Sequence, residues 1–403
     1  MQGILDFFVS FWQLTTRVIF ARKARVLFYY PQHFNRTAEG TNPFFDRLLD
    51  ACDRHGISYK LIEEPDWRTD KPRNTKAIKG DLLFILIVVL RKIIRKIHTE
   101  SKYYEDEQRV ARILNVFTFG RFLCSQYVSI SGSMNELFIY LNPKGNVYEM
   151  QHGVVFGGKD AFYEPDGSLH PPYKEPNFHL LFWGEGYLRC TVRGHEREWD
   201  RRTHVVGYPL DNKAQISNKS HDDSDLISVD TILISMQITN DASEKWANSF
   251  IEIVEDNLKQ IKELINQGVD IKVLIKHHPR FNNAYNIDYL FDKYPFAELT
   301  EKSLSNLLPH TMLHVTYHST TAFEYAQYGV PSFFMQSQNM QQGIELFYNE
   351  YQYPLYAGMN IGDVVKRLKD NGFYIEDSEI VKDWYLRFYA PFDEEEFLSI
   401  VEN

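Results

Sequence analysis

Ile275-Lys276-His277-His278-Pro279-Arg280 stands at the end of a mostly apolar run that begins at Ile271. A short apolar run of this kind predicts a buried β-strand, so the basic residues follow the point where that strand ends. A second apolar run, from Met312 to Val315, leads in the same way into His318-Ser319-Thr320-Thr321-Ala322-Phe323-Glu324. In an open α/β sheet, ligands bind outside the carboxyl ends of the strands. The two stretches therefore predict an α/β fold with a ligand site where these strands end.

Strand and helix patterns alternate near the start of the chain. Val26 to Tyr30 predicts a strand, Phe44 to His55 a helix that Gly56 ends, and Ile57 to Ile62 a second strand. This β-α-β order is typical of a Rossmann-like domain. The segment from Ala77 to Leu141 predicts mostly helix. We therefore expect a Rossmann-like first domain with a mostly helical segment after its second strand.

A polar and charged segment from Asp211 to Asp230 predicts a linker between two domains. After it, a strand from Thr231 to Ser235, a helix from Ser243 to Gln267 and a strand from Ile271 to Ile275 repeat the β-α-β order. We therefore predict three parts, namely an N-terminal Rossmann-like domain at residues 1–215, a C-terminal Rossmann-like domain at residues 225–380, and a helical tail at residues 381–403 that packs back on the first domain.

The composition is that of a globular protein with an acidic balance. The 403 residues are 44% hydrophobic and 24% charged, and the net charge is −10 at pH 7. An acidic chain is a poor match for nucleic acid, so we expect no nucleic-acid partner. Cys52, Cys124 and Cys190 are isolated, which argues against a disulfide framework or a zinc site. Such cysteines are typical of a reducing compartment, so we expect a cytoplasmic protein.

Two stretches combine apolar and basic residues. The N-terminus is amphipathic and runs into Arg22-Lys23-Ala24-Arg25, and the apolar run from Leu82 to Leu90 ends in Arg91-Lys92-Ile93-Ile94-Arg95-Lys96. No run reaches the ~20 apolar residues that span a bilayer. Two interpretations stay open for both stretches. They are packed helices, or they dock on the anionic inner face of a bacterial cell membrane.

The basic stretch after the first apolar run carries one group of candidate donor-binding residues. Pro279 disfavours the helical conformation at His278 and holds that residue extended at the strand end. An imidazole there, either charged or as a neutral N–H donor, suits a phosphate oxygen. Lys276 and Arg280 add positive charge on either side. A basic surface turn without a ligand is the alternative interpretation.

Hydroxyl groups at a predicted helix start form the second group. Ser319, Thr320 and Thr321 are consecutive, whereas capping a helix needs only one hydroxyl, so the others have capacity for a phosphate. Glu324, one turn into the helix, is a candidate for binding a ribose diol, although it also suits the helix dipole. Gln237 follows the first strand of the second domain and is a candidate contact to the donor phosphate or base.

The first domain carries the candidate catalytic base. Gln151-His152-Gly153 closes a predicted strand and leads into a glycine-rich loop. His152 is a candidate general base that takes a proton from an acceptor hydroxyl, with a loop-orienting histidine as the alternative. Glu39 is a second candidate base. Glu185 is a third, and it is expected on the acceptor side together with Gln151 and Gly153.

The sequence lacks the pattern of a metal-held diphosphate. No Asp-x-Asp motif follows an early strand, and Asp222-Asp223 lie in the predicted linker. A divalent cation would need such oxygen ligands. We therefore expect no required metal and no bound cofactor.

Together these residues resemble the glycosyltransferases of the GT-B type, in which two Rossmann-like domains face each other across a cleft. More narrowly, they resemble bacterial capsule and lipopolysaccharide sialyltransferases and Kdo transferases, and the glycerophosphotransferases of teichoic acid synthesis. Those families share a His-Pro motif and a Ser/Thr-rich motif, matched here by His278-Pro279 and Ser319-Thr320-Thr321. Their N-terminal domain has an acidic-Gly motif that supplies the base. Gln151-His152-Gly153 occupies a comparable place with His instead of a carboxylate.

The resemblance implies a metal-independent transferase that moves a sugar from a nucleotide-linked donor, preferably CMP-linked, to a surface-polysaccharide or lipid-linked glycan. The second domain would hold the nucleotide and the first the acceptor. One alternative is a CDP-linked polyol-phosphate transferase of the teichoic acid type. Another is a non-catalytic glycan-binding subunit of a capsule assembly complex, and a sugar-nucleotide epimerase is a more distant one.

Overall fold

In a computed structural model the chain forms two compact units. The first comprises Met1–Ala214 together with Tyr389–Asn403, and the second comprises Gln215–Phe388. The structure describes residues 2–132, 134–155, 162–210, 230–239, 242–278, 285–337 and 345–402. None of the helices in this described part has the length and apolar content needed to cross a membrane.

The first unit is built on a parallel sheet. Its strands are β1 (Val26–Pro31), β2 (Tyr59–Glu64), β3 (Ile78–Lys79), β4 (Gln126–Ile130), β5 (Asn146–Met150), β6 (Phe178–Phe182) and β7 (Thr203–Val205). Their order in the sheet is β3-β2-β1-β4-β5-β6-β7, and every pairing is parallel. The central strands β1 and β4 are buried along their whole length, as expected for a sheet covered on both faces.

Helices and short turns connect these strands. The α-helices of the first unit are Gln2–Gln13, Pro43–Arg54, Asp81–Ile97, Tyr103–Phe117, Asn135–Leu141, Glu185–Val192 and Glu394–Glu402. The π-helix Leu14–Ile19 and the 3₁₀ segments Gln32–Phe34 and Pro171–Lys174 complete the list within the described residues. Local sequence explains where the helix after β1 begins, because Asn42 accepts the N–H of Phe44 at 3.1 Å and proline follows Asn42 directly.

The second unit repeats the plan with a smaller sheet. Its strands are β8 (Thr231–Ser235), β9 (Lys272–Lys276), β10 (Ala297–Leu299), β11 (Thr311–Thr316) and β12 (Ser332–Phe334). They are parallel and lie in the order β10-β9-β8-β11-β12. The sheet order reverses direction between β8 and β11, so this pair marks a topological switch point.

The helices of the second unit surround this sheet. They are Glu244–Asn266, Asp288–Lys293, Leu304–Leu307, Thr321–Gln327, Ile361–Leu368 and Asn371–Phe388, with the 3₁₀ segment Leu308–His310 and the π-helix Glu345–Glu350. Ser243 caps the longest helix by accepting the N–H of Trp246 at 3.3 Å. Both units have the strand order of a Rossmann-like fold, so the predicted α/β class with two Rossmann-like units is confirmed.

The chain returns to the first unit after Phe388. The Ala390 N–H donates to the Trp183 carbonyl at 3.0 Å, and the Tyr208 N–H donates to the Ala390 carbonyl at 2.7 Å. The Asp393 N–H donates to the Val206 carbonyl at 2.9 Å. These main-chain bonds attach the segment after Phe388 to the residues that follow β6 and β7.

Two strands lie in a segment for which only helix was predicted. The segment from Ala77 to Leu141 is mostly helical, as expected, but it also contains β3 and the central strand β4. The polar residues Gln126 and Ser129 interrupt the apolar pattern of β4, although both are buried. Ser129 donates to the side chain of Asn135, so its polarity is satisfied inside the protein rather than by solvent.

Candidate functional site

The carboxyl ends of β8, β9 and β11 form one edge of the second sheet, here called the second carboxyl edge. It comprises Ser235–Gln237 after β8, Lys276–His278 after β9 and His318–Thr321 after β11. β8 lies between the other two strands and pairs with both. Because neighbouring strands are about 4.8 Å apart, the ends of β9 and β11 lie about 10 Å apart. The structure thus brings the predicted donor-binding segments to one edge, at the switch point.

Gln237 joins the ends of β8 and β11. Its side-chain oxygen accepts the N–H of Tyr317 at 3.0 Å and the N–H of His318 at 2.8 Å. The Thr316 hydroxyl donates to the same oxygen at 3.3 Å. The Gln237 Nε2 lies 3.0 Å from the His318 Nδ1. Gln237 was predicted to contact the donor, and its contacts here show that it holds the loop that follows β11.

These contacts fix the protonation of His318. The oxygen of the Gln237 amide faces main-chain donors, so its NH₂ group must be the donor to Nδ1 of His318. Nδ1 therefore carries no proton, and the proton of the neutral ring is on Nε2. Burial lowers the pKa of the half-buried His318 imidazole, which favours the same neutral form. Among the described residues, no group forms a hydrogen bond with Nε2 of His318, so this N–H is available to a ligand.

Ser319 is oriented by Thr321. The Thr321 hydroxyl donates to the Ser319 Oγ at 2.8 Å, and the Thr321 N–H donates to the same atom at 3.3 Å. The Ser319 hydroxyl therefore accepts two hydrogen bonds. Among the described residues, no hydrogen bond uses the hydrogen of this hydroxyl. Thr320 occupies the cap position of the helix Thr321–Gln327 without a side-chain capping bond. The hydroxyls of Ser319 and Thr320 thus have donor capacity beyond what the helix start uses.

His314 lies under this edge and was not predicted as a site residue. Its Nδ1 lies 3.0 Å from the Ser332 Oγ, and its Nε2 lies 2.9 Å from the Ser235 Oγ. The ring stacks on Tyr325 with 4.2 Å between centroids. It is fully buried, and burial lowers the pKa of the imidazole to about 3. His314 therefore stays neutral and links β11 to β8 and β12, which makes it a positioning residue.

Lys276 and His278 lie at the end of β9. Lys276 is the last residue of the strand and pairs in register with Ser235 on β8. Both Lys276 and His278 are partly exposed, so their side chains are accessible at the second carboxyl edge. Pro279 and Arg280, which the sequence also predicted for donor binding, lie outside the described residues.

Glu324 lies on the helix that follows Ser319–Thr321. The Glu324 side chain is largely exposed. The part of it that lies against the protein is desolvated, and this raises the pKa of the carboxyl. Because the group is open to solvent, we expect that shift to be small. Among the described residues, none forms a hydrogen bond with the Glu324 side chain. A role at a ribose diol stays a prediction.

The carboxyl edge of the first sheet carries the residues predicted for the acceptor side. The Gln151 Nε2 donates to the Gly153 carbonyl at 2.8 Å, and the Trp183 N–H donates to the Gln151 Oε1 at 3.0 Å. Gln151 is buried and ties the loop after β5 to the end of β6. Residues 156–161 of the predicted glycine-rich loop lie outside the described residues.

His152 lies directly after Gln151 with its ring exposed. The ring makes an edge-to-face contact with Phe34, at 5.4 Å between centroids. Desolvation of the part of the ring that lies against the protein lowers the pKa of the imidazole, and the charges of His33 and Arg36 lower it further. Because the ring is open to solvent, we expect a small shift. A neutral, accessible imidazole at this strand end has the state that a general base needs.

Glu39 and Glu185 have weaker structural support as bases. Glu39 is exposed in the loop between β1 and the helix Pro43–Arg54. Glu185 is exposed at the start of its helix and lies 4.0 Å from Arg189, one turn later. That position already suits the helix dipole. Their roles on the acceptor side stay predictions, as does a role for Gly153, whose position has open space for a side chain.

Glu149 is a further candidate that the sequence did not suggest. It is the penultimate residue of β5, and its Oε2 accepts the Asn135 Nδ2 at 2.6 Å. Burial raises the pKa of its carboxyl to about 7, with a smaller contribution from Glu136. A carboxyl that titrates near neutral pH at a strand end is typical of functional sites. The signal in the sequence was a single acid inside the strand pattern Val147-Tyr148-Glu149-Met150.

Among the described residues, no group of three or more His, Cys, Asp or Glu side chains is arranged to hold a metal ion. Cys52, Cys124 and Cys190 are buried thiols that form no disulfide bond. The polar groups of the second carboxyl edge are imidazoles, hydroxyls, an amide and an ammonium, which suit an anion better than a cation.

Comparisons with known proteins gave structural similarities only. No protein-family model and no curated protein sequence matches the chain. The chain is similar to the wall teichoic acid polymerase TagF, with 16% identity, 100% of this chain and 96% of that chain covered, and a TM-score of 0.45. It is similar to the UDP-GlcNAc 2-epimerase from Methanocaldococcus jannaschii, with 14% identity, 94% and 98% covered, and a TM-score of 0.46. It is also similar to the glycotransferase of kitacinnamycin, with 10% identity, 94% and 99% covered, and a TM-score of 0.49. Similarities of this size do not establish an activity, and the Rossmann-like character of each unit follows from its own strand order.

Proposed function

We propose that the protein is a metal-independent glycosyltransferase. It transfers a sugar from a nucleotide-linked donor, preferably CMP-linked, to a surface-polysaccharide or lipid-linked glycan. The observation that carries the proposal is the pair of oriented donors at the switch point. Gln237 directs the His318 proton to Nε2, and Thr321 leaves the Ser319 hydroxyl hydrogen to donate.

Two adjacent donors of this kind suit the oxygens of a phosphate. They are fixed before the ligand arrives, so little reorganisation is needed when negative charge develops on the departing phosphate. At the same edge, at the end of β9, Lys276 adds positive charge and His278 adds an imidazole. A single phosphate needs only a few such contacts, which is why a CMP-linked donor is preferred. Thr320 has a hydroxyl for the same group, and Glu324 is assigned to the ribose.

The first unit is assigned to the acceptor. His152 takes the proton of the acceptor hydroxyl while the oxygen bonds to the anomeric carbon of the sugar. The bond from that carbon to the phosphate breaks, and CMP leaves with the electron pair. Glu39 is the second candidate base. The acceptor is assigned to the inner face of a bacterial cell membrane.

A thermal-shift screen of CMP, CDP, UDP, GDP and dTDP tests the assignment, because a ligand that binds only the native state raises the melting temperature. We expect CMP to raise it, and Ser319→Ala to reduce the increase. Transfer that persists with a metal chelator supports metal independence. Failure of every nucleotide to bind would favour a glycan-binding subunit instead. Release of CMP from a CDP-linked polyol, but not from a CMP-linked sugar, would favour polyol-phosphate transfer.

A further inference from the structure

An apolar stripe runs along the exposed side of the helix Asp81–Ile97. Residues four apart lie on one face of a helix. The exposed members of this stripe are Ile85 at 37%, Val89 at 44%, Ile93 at 49% and Ile97 at 68%. The opposite side of the same helix is buried and carries Leu83, Ile87 and Ile94. The helix is therefore apolar on both sides, although only one side packs against the protein.

The N-terminal helix adds a second exposed apolar face beside it. Ser10 is fully buried, and its hydroxyl donates to the Lys79 carbonyl at 2.6 Å and accepts the Leu82 N–H at 3.0 Å. These bonds attach the N-terminal helix to the start of the helix Asp81–Ile97, and the two helices pack together. Phe8 and Trp12 lie on the side opposite Ser10 and are 64% and 68% exposed. An exposed apolar patch on neighbouring helices is typical of an interaction surface.

Positive charge accompanies both faces. No acidic residue lies between Leu82 and Thr99, and Lys92, Arg95 and Lys96 are exposed on the second half of that helix. Arg91 is already paired with Glu107 at 2.7 Å. The first 25 residues hold four basic residues and one acid, Asp6, whereas the whole chain has a net charge of −10. The net charge of this region is therefore positive, whereas that of the whole chain is negative.

We propose that the exposed faces of these two helices dock on an anionic lipid surface. Apolar side chains beside basic ones are the pattern of helices that lie in the plane of a membrane. A second copy of an acidic chain would bring like charges together, while an anionic membrane attracts the local Lys and Arg side chains. The inference does not depend on the proposed function, since vesicle binding can be measured without any substrate.

Sedimentation with lipid vesicles tests the proposal on the full chain. We expect binding to vesicles of phosphatidylcholine with phosphatidylglycerol, weaker binding to phosphatidylcholine alone, and a decrease as salt is added. Val89→Ser/Ile93→Ser should reduce the partition coefficient by more than about tenfold, because two exposed apolar side chains no longer enter the lipid. Ile375→Ser, at a position 57% exposed in the second unit, is the matched control and should bind like the unaltered chain.

A charge variant distinguishes docking on anionic lipid from nonspecific adsorption. Lys92→Gln/Arg95→Gln should reduce binding to anionic vesicles roughly 25-fold, since each basic residue near an anionic surface contributes about a fivefold factor. Lys245→Gln/Lys302→Gln, both exposed in the second unit, should have no effect. Equal melting temperatures show that all variants fold. Absence of vesicle binding, equal loss in the controls, or a dimer that Val89→Ser/Ile93→Ser dissociates would each overturn the proposal.

Discussion

The side-chain amide of Gln237 holds the His318 ring, with 3.0 Å between Gln237 Nε2 and His318 Nδ1, while its oxygen accepts the His318 N–H at 2.8 Å. The two residues follow β8 and β11, which are far apart in sequence and adjacent in the sheet. One glutamine thus sets both the main-chain position and the protonated nitrogen of this histidine. The N–H that remains, on Nε2, is the group that we assign to the donor phosphate.

Gln237→Glu tests this relationship. A carboxylate still accepts the main-chain N–H groups, but it cannot donate to Nδ1 and instead favours a proton there. We expect the pKa of His318 to rise by about one to two pH units above its value in the unaltered protein. An NMR titration of the imidazole signals measures it. Gln336→Glu, at an exposed glutamine after β12, is the control and should leave the His318 titration unchanged. The same pKa in all three proteins would contradict the assigned tautomer.

His152→Ala tests the base in the first unit. We expect kcat to fall by roughly 10²–10⁴-fold while nucleotide binding is unchanged, because a base acts on the acceptor and not on the donor. The pKa of His152 is lowered by the surrounding protein, so the ring is neutral at pH 7. The rate should therefore fall as the pH drops through a pKa that lies below the ordinary histidine value, and the variant should lack this acid limb.

His98→Ala is the matched control for that experiment, since His98 is exposed on the same unit after the helix Asp81–Ile97. Glu39→Gln separates the two candidate bases. Full turnover in His152→Ala, with loss in Glu39→Gln, would transfer the role to Glu39. Transfer rates and pH profiles of the three variants decide between them.

Glu149→Gln tests the partly buried carboxyl of β5. The pKa of Glu149 is raised by burial to about 7, whereas the unfolded chain releases this proton in the ordinary carboxyl range. Between those values the native state binds more protons, so its contribution to stability is full at low pH and is lost as the pH rises through 7. A neutral glutamine avoids that loss. We expect Glu149→Gln to unfold at higher urea concentration than the unaltered protein at alkaline pH, by on the order of 1–3 kcal/mol.

Urea unfolding at acidic and alkaline pH provides the comparison. The two proteins should differ little at low pH, where the native carboxyl is protonated. Glu402→Gln, at an exposed carboxylate of the same unit, should behave like the unaltered chain at both pH values. A Glu149→Gln protein that is less stable at alkaline pH would show that the native state requires the charge.

The sequence predicted the parts of the fold that have mostly apolar runs. Thr231 to Ser235 agrees with β8 at both ends, and the run from Met312 to Val315 lies inside β11. β4 was missed because Gln126 and Ser129 break its pattern although both are buried. The hydrogen bond from Ser129 to Asn135 is a contact that no local pattern encodes. Propensity describes one segment, whereas burial of a polar residue depends on the whole sheet.

The residues of the candidate site also divide into those that the sequence predicted and those that it did not. Ser319 and Gln237 were found because polar residues at the ends of apolar runs are conspicuous, and the structure places both at the second carboxyl edge. His314 was passed over inside an apolar strand, since its two hydroxyl partners come from other strands. The orienting role of Gln237 likewise depends on a hydrogen bond between residues that are distant in sequence.

Calorimetric titration of CMP into the unaltered protein, Ser319→Ala, His278→Ala and Ser399→Ala tests the central claim most directly. Ser399 is exposed on the helix Glu394–Glu402 and serves as the matched control. We predict that CMP binds the unaltered protein and Ser399→Ala equally, and that Ser319→Ala and His278→Ala bind it at least about tenfold more weakly, as expected for loss of a hydrogen bond to a charged group. Equal affinity in all four proteins, or no binding to any of them, would contradict a nucleotide site at the carboxyl ends of β8, β9 and β11.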